Sequence, residues 1–217
     1  MAAIKIPIET SARHIHLCRA DFETLFGEGK DLTPVKELSQ PGQYLSAERL
    51  NIVGPRGTFE SVGILGPLRD ESQVEVSLTD NRTLGIESVI RQSGHLEDTP
   101  GCILRRPDTG EEITLQRGVI VAKRHIHMTP EDALRMNVFD NEDVCVMTRS
   151  YERSMIFADV VVRVHKSFRL AMHVDTDEAN AFAPDDPAPY GLILKLFDSR
   201  TYSFDSWTKE LLSGIWR

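Results

Sequence analysis

The tetrapeptide Arg-His-Ile-His occurs twice, at Arg13–His16 and again at Arg124–His127. Chance rarely repeats four such residues. The two halves of the 217-residue chain are therefore expected to carry the same side chains at equivalent points of related substructures. Each copy follows a strand-like segment, the alternating Ile4, Ile6 and Ile8 in the first and the run Val119 to Val121 in the second. Each copy also precedes a short helix. In the second, Thr129 suits the cap, Pro130 the first helical position, and Asp132 the positive helix end. In the first, Cys18 stands at the cap position, Asp21 matches Asp132, and Gly27 offers a stop.

Between and after these anchors run short β-rich segments broken by turn residues: Leu50 to Val53, Phe59 to Leu65, Gln73 to Leu78, Leu84 to Ile90, Ile103 to Leu104, Glu112 to Leu115, Asp143 to Thr148, Met155 to Val164 and Arg169 to Val174. Gly54-Pro55-Arg56-Gly57 reads as a hairpin tip. Many short strands with few helices predict a mainly β protein of two small barrels with short capping helices, pseudo-duplicated. At Phe182 the character changes to a proline-rich polar linker, Ala183 to Pro189, and the core is expected to end there. Beyond it, Phe204, Trp207, Leu211, Leu212, Ile215 and Trp216 form one stripe if Ser206 starts a helix. That helix would pack on the core or dock a partner.

Charge narrows the classes of function. A net charge of -8 argues against nucleic acid as a partner, because a broad footprint needs a concentrated basic surface. No apolar run approaches the roughly 18 residues of a membrane span, and Met1 to Pro7 lacks the pattern of a secretory signal. The expected setting is the cytoplasm. Three cysteines without Cys-x-x-Cys spacing indicate neither a disulfide framework nor an all-cysteine zinc site.

The histidines carry the chemistry. Alternate side chains of a strand share a face, so His14 and His16, and likewise His125 and His127, can each pinch one metal ion. A lone pair of this kind is ordinarily two satisfied histidines. Two identical pairs, with His173 in a third strand-like run, point to metal, and imidazole-rich sites favour zinc, with iron, copper and nickel as alternatives. Each pair needs at least one more ligand. Glu75 lies between Val74 and Val76, where burial would demand a partner, although spacing alone favours a solvated strand face. The acidic run from Asp175 to Glu178 reads equally as support for imidazoles or as a capped helix start. Arg69, just past Gly66-Pro67, offers a guanidinium fork for phosphate or carboxylate. Arg13 and Arg124 point to the opposite strand face, His95 and His165 stand outside any repeat, and Cys18 fits a buried or capping thiol.

Taken together, Ser11 to Leu17, Leu38 to Gln43, Leu65 to Arg69, Gln73 to Ser77, Gly118 to Met128 and Met172 to Asn180 resemble the PduL-type phosphate propanoyltransferases, the phosphotransacylases of metabolosomes and related bacterial pathways. The resemblance spans about Ile4 to Asn180. It implies an enzyme that interconverts short-chain acyl-CoA plus phosphate and acyl phosphate plus coenzyme A, built from two β-barrels with two zinc ions between them. Residues 1–12 plus 119–181 would form one barrel and 13–118 the other, with 182–217 as linker and C-terminal extension. Carried over by position, His14, His16 and Glu75 would hold one zinc, His125, His127 and His173 the other, and Arg69 would hold phosphate and serve catalysis. Phosphate would then be neutralised by the zinc pair and Arg69 and aimed at the thioester carbonyl. The family also implies a homodimer, with acyl-CoA and phosphate as partners and with microcompartment shell or lumen proteins as further ones. From spacing alone two rivals stand: a dinuclear zinc hydrolase, separated by phosphate dependence, and a silent protein with closed structural zinc sites.

Overall fold

Runs rich in Val, Ile and Leu, bounded by Gly, Pro, Asn and Asp, form strands along almost the whole chain, and the few helices span only seven or eight residues. A computed structural model describes residues 4–148, 153–182 and 188–194. In chain order its elements are β1 (Ile6–Ser11), β2 (His14–His16), α1 (Arg19–Phe26), β3 (Pro34–Glu37), β4 (Tyr44–Val53), β5 (Thr58–Gly66), β6 (Gln73–Glu75), α2 (Leu78–Leu84), β7 (Val89–Arg91), β8 (Cys102–Arg105), β9 (Glu112–Leu115), β10 (Val119–Ala122), β11 (His125–Met128), α3 (Pro130–Met136), β12 (Asp143–Thr148), β13 (Met155–Val164), β14 (Ala171–Asp175), α4 (Thr176–Phe182) and β15 (Tyr190–Leu194). The expectation of a mainly β protein is met.

Six strands close into a barrel in the order β1-β14-β11-β13-β12-β15. Its interior is filled by one apolar cluster that includes Ile6, Ile126, Met128, Val146, Val162, Met172 and Phe182. The remaining strands form a nine-stranded sheet, β7-β10-β6-β2-β5-β4-β8-β9 with β3 added on β4, over a second cluster around Ile15, Leu17, Phe22, Leu50, Ile64 and Val74. The expected second barrel is thus an open sheet. Among the described residues its ends, β7 and β9, are three- and four-residue strands that no ladder joins.

Strand membership departs from the expected boundaries at two places. β10 pairs in parallel with β6 and β7, so Val119 to Ala122 belong to the sheet rather than the barrel. β15 pairs with β1 and β12, so the barrel continues past Phe182 and needs the strand beyond the prolines to close. β1 pairs in parallel with β14.

Helix ends follow their caps. Thr129 and Asp132 form a reciprocal capping box on α3, whereas the Cys18 side chain makes no capping bond on α1. Leu84 to Ile90, expected as a strand, is split. Ser77 and Asp80 cap α2, Gly85 ends it in the left-handed conformation at φ 72°, and only Val89–Arg91 is extended. The stripe from Phe204 to Trp216 and the segment from Ala183 to Pro187 lie outside the described residues. No described helix is long and apolar enough to cross a membrane.

Candidate active site

Each His-x-His strand lies antiparallel to the strand that carries the third member of its triad, and the register sets the pairs face to face. His14 stands opposite Glu75 across β2 and β6, and His125 stands opposite His173 across β11 and β14. In a strand pair, directly opposed residues have their Cβ atoms about 5 Å apart, so pairing alone delivers each third side chain to its histidines. Within each triad the potential ligand atoms lie within 4.8 Å of one another. All six side chains, with Arg69, line one cavity of about 570 Å³ between sheet and barrel.

The ring nitrogens show what the first triad can hold. His14 Nδ1 meets the Ala12 carbonyl at 2.8 Å and His16 Nδ1 meets the Leu65 carbonyl at 3.1 Å. A carbonyl only accepts, so both Nδ1 atoms carry a proton, and in the neutral form that binds a metal each Nε2 offers its lone pair. The two Nε2 atoms face each other at 3.2 Å, with Glu75 Oε2 at 3.5 Å from His14 Nε2. Two lone pairs so close repel unless a proton or a metal ion lies between them. Zinc–nitrogen bonds of 2.0–2.1 Å in a tetrahedron separate two ligand atoms by about 3.3 Å, which matches the observed spacing. The donor set therefore fits zinc.

In the second triad the His125 Nδ1 is likewise bound by the Lys123 carbonyl at 2.9 Å. The rings of His125, His127 and His173 gather at 4.6, 4.9 and 5.2 Å between centroids. His173 Nε2 and His127 Nδ1 are buried without a hydrogen-bond partner, a state that buried polar atoms rarely tolerate without an ion or water. This set fits a metal as well.

Electrostatics agree. Burial, reinforced by the neighbouring His173, holds His125 down to about 4, and burial with the charges of His125 and His173 holds His127 down to about 2. Burial also depresses His16 and His173. Deprotonated imidazole is the ligand form. Burial would raise the Glu75 carboxyl, but His14, His16, the Ser93 hydroxyl and Arg69 overcome it and hold the group at about 2.

Glu75 is also fixed mechanically. Gln73 Nε2 and Ser93 Oγ donate to its Oε1 at 2.6 and 2.8 Å. Ser93 in turn accepts from Arg69 Nη1 at 2.9 Å, so the arginine is tied to the first triad through one hydroxyl. The Arg69 backbone N–H donates to the Leu17 carbonyl at 2.9 Å, beside the β2 histidines. A second arginine, Arg163, stands next to His127 in the parallel β11–β13 register and lines the same cavity. Sequence reasoning missed Arg163, Ser93 and Gln73. The one signal for Arg163 was a lone cation in the valine run Val160 to Val164.

The other singled-out residues stand outside the two triads. Arg13 makes a bidentate pair with Asp80 at 2.7 and 3.1 Å, and Arg124 pairs with Glu178 at 2.8 Å. Asp175 and Glu178 exchange side-chain bonds with each other's backbone N–H, which makes the acidic run a helix cap. His95 and His165 are exposed. The Cys18 N–H donates to Ser72 Oγ at 2.9 Å.

Comparison with known proteins agrees with the resemblance. The protein-family model described as phosphate propanoyltransferase matches residues 7–185. The phosphate propanoyltransferase of Leptotrichia buccalis is 54% identical over 174 residues, 80% of this chain and 81% of that one. That of Thermotoga maritima is 53% identical over 176 residues, covering 81% and 83%, and that of Citrobacter freundii 48% identical over 189 residues, covering 87% and 89%.

Proposed function

The chain belongs to the phosphate propanoyltransferase family, and from that premise we propose that it exchanges a short acyl group between coenzyme A and inorganic phosphate in the cavity shared by the two triads and Arg69. The observation that carries this reading is the convergence of two metal-compatible triads, with Arg69 and Arg163 among the cationic side chains, on one cavity between sheet and barrel. In the proposed reaction an oxygen of phosphate attacks the thioester carbonyl, a carbon–oxygen bond forms, the carbon–sulfur bond breaks, and coenzyme A leaves as the thiolate. The products are acyl phosphate and coenzyme A.

His14, His16 and Glu75 would hold one zinc ion and His125, His127 and His173 the other. Bound there, the ions would supply concentrated positive charge and Lewis acidity, with coordination positions left open by three protein ligands each. The protein's own part is orientation. Arg69, held at its backbone by Leu17 and at its side chain by Ser93, presents its guanidinium to phosphate oxygens, and Arg163 adds a second cation. Their local charge lets a protein of net charge -8 take two anionic substrates.

Phosphate-dependent release of free thiol from acetyl- and propanoyl-coenzyme A by the purified protein tests the reading. Release that requires phosphate and stops with a zinc chelator supports it. Phosphate-independent release indicates a metal hydrolase, and no release from zinc-loaded protein overturns it. We also propose a homodimer, checked by light scattering against the 24.4 kDa chain. Association with a microcompartment shell is tested by truncation after Leu194, since removal from residue 190 would take away β15.

A further inference from the structure

Of the six triad residues, four have a ring nitrogen or carboxylate oxygen tied to a firm anchor. Backbone carbonyls hold His14, His16 and His125, while Gln73 and Ser93 hold Glu75. Among the described residues His173 has no such bond. Its Nε2 is buried and unpartnered, and its Nδ1 faces Glu9 Oε2 at 3.8 Å. The parallel pairing of β1 with β14 sets Glu9 beside His173 in register, and the Ser39 hydroxyl donates to the same Oε2 from the loop of the opposite body.

We propose that Glu9 is the positioning residue of the second ion site: its carboxylate receives the Nδ1–H of His173 and thereby aims Nε2 at the ion. The inference rests on the two-zinc reading above. A carboxylate that accepts the outer N–H of a ligand imidazole fixes the tautomer, orients the ring and raises its basicity. The gap to be closed is about 0.9 Å beyond an ordinary hydrogen bond, within the reach of a small rotation of a glutamate that is itself partly exposed.

Charge gives an independent reason. The first triad contains a carboxylate, Glu75, whereas the second is three neutral imidazoles. A dication there has no anionic ligand of its own, and Glu9 is the acid placed beside it. The Glu9 carboxylate has the site on one side and the opposite body on the other. Next to Ser39, the buried Gln40 side chain clasps the Arg169 backbone at both its N–H and its carbonyl, at 3.1 and 3.0 Å, and Phe168 packs on the His127 ring at 4.2 Å between centroids. The Leu38 to Gln43 motif thereby grips the barrel at the strand and the loop that flank the all-histidine triad.

The test is zinc titration of metal-stripped protein against a chromophoric chelator, for the unsubstituted chain, Glu9→Gln, Glu9→Ala and Ser39→Ala. Two zinc sites are expected in the unsubstituted chain. Glu9→Gln should weaken one of them about 10- to 100-fold and leave the other unchanged. Ser39→Ala, which keeps the carboxylate and removes its holder, should weaken the same site to a smaller extent. Cobalt(II) in the second site should show an altered visible spectrum in Glu9→Gln, a signature that general destabilisation would not produce. Glu9→Gln and Glu9→Ala chains that bind both ions as tightly as the parent overturn the proposal, as does equal weakening of both sites. An unsubstituted chain that fails to bind two zinc ions instead overturns the reading on which the proposal rests.

Discussion

Replacing Arg69 with alanine separates phosphate handling from metal binding. Among the described residues the side chain makes one hydrogen bond, from Nη1 to Ser93 Oγ. After its removal Ser93 still accepts from Gln73 Nε2 at 2.9 Å and still donates to Glu75, so no buried polar atom of the Glu75 network is orphaned. The stability cost should stay near that of a single hydrogen bond, about 1 kcal/mol, and the zinc content should remain two ions per chain. Catalysis should suffer far more. Loss of one preorganised donor to developing charge lowers turnover about 10²- to 10³-fold, or roughly 3–4 kcal/mol, and Arg163 in the same cavity keeps the loss from being complete. The assay is initial-rate thiol release from propanoyl-coenzyme A with phosphate varied, beside zinc analysis of the same preparation. Both kcat and the KM for phosphate should move. Arg69→Lys should recover part of the binding and little of the rate, because a point charge lacks the planar fork. A value of kcat/KM for phosphate within threefold of the parent would refute the role of Arg69; loss of zinc on substitution would refute the separation of phosphate handling from metal binding.

Three further outcomes are expected. His125 at about 4 and His127 at about 2 lie below the ordinary 6.5, so between those values and 6.5 the unfolded chain binds protons that the folded chain does not; metal-stripped protein should therefore lose stability as pH falls from 6.5 towards 4 and change little above 7, and a urea midpoint that rises on acidification contradicts this. Phe182 is 1% exposed and meets Phe157 edge to face at 5.9 Å, so Phe182→Ala should cost about 3–5 kcal/mol, with an unchanged urea midpoint as the contrary result. A Cβ on Gly101 would stand 1.8 Å from the Leu115 carbonyl oxygen, backbone that cannot give way without parting β8 from β9, so Gly101→Ala should yield little folded protein; a thermal midpoint equal to the parent's would disprove the close approach.

The histidine pairs were legible because a strand's two-residue period is a local property, and His14, His16, His125 and His127 state it within three residues each. The Gly54 to Gly57 tip and the Thr129 cap were legible for the same reason. Glu75 was only half legible. Spacing alone favours a solvated face there, because two of the groups that make burial tolerable, His14 and Ser93, arrive from other segments to join Gln73 of the same strand, and only resemblance to a known family supplied its role. Arg163 enters the cavity through a parallel pairing with β11 that no local pattern encodes. α2 escaped notice because its capping pair, Ser77 and Asp80, sits at the end of a β-like run. The strand that closes the barrel lies beyond prolines that read as an ending.

The first strand has a consequence for how the chain acquires its structure. β1 leaves the ribosome before everything else described, yet its partners β14 and β15 are almost the last to be made. Every strand of the nine-stranded sheet lies between them in sequence. During synthesis the sheet can assemble while Ile6 and Ile8 wait with their apolar face unburied, and the barrel closes only after nearly the whole chain is out. Such late, sequence-distant pairing is slow and exposes an unpaired edge in the meantime. Folding should therefore run from the middle of the chain outward, with the all-histidine triad completed later than the triad that contains Glu75.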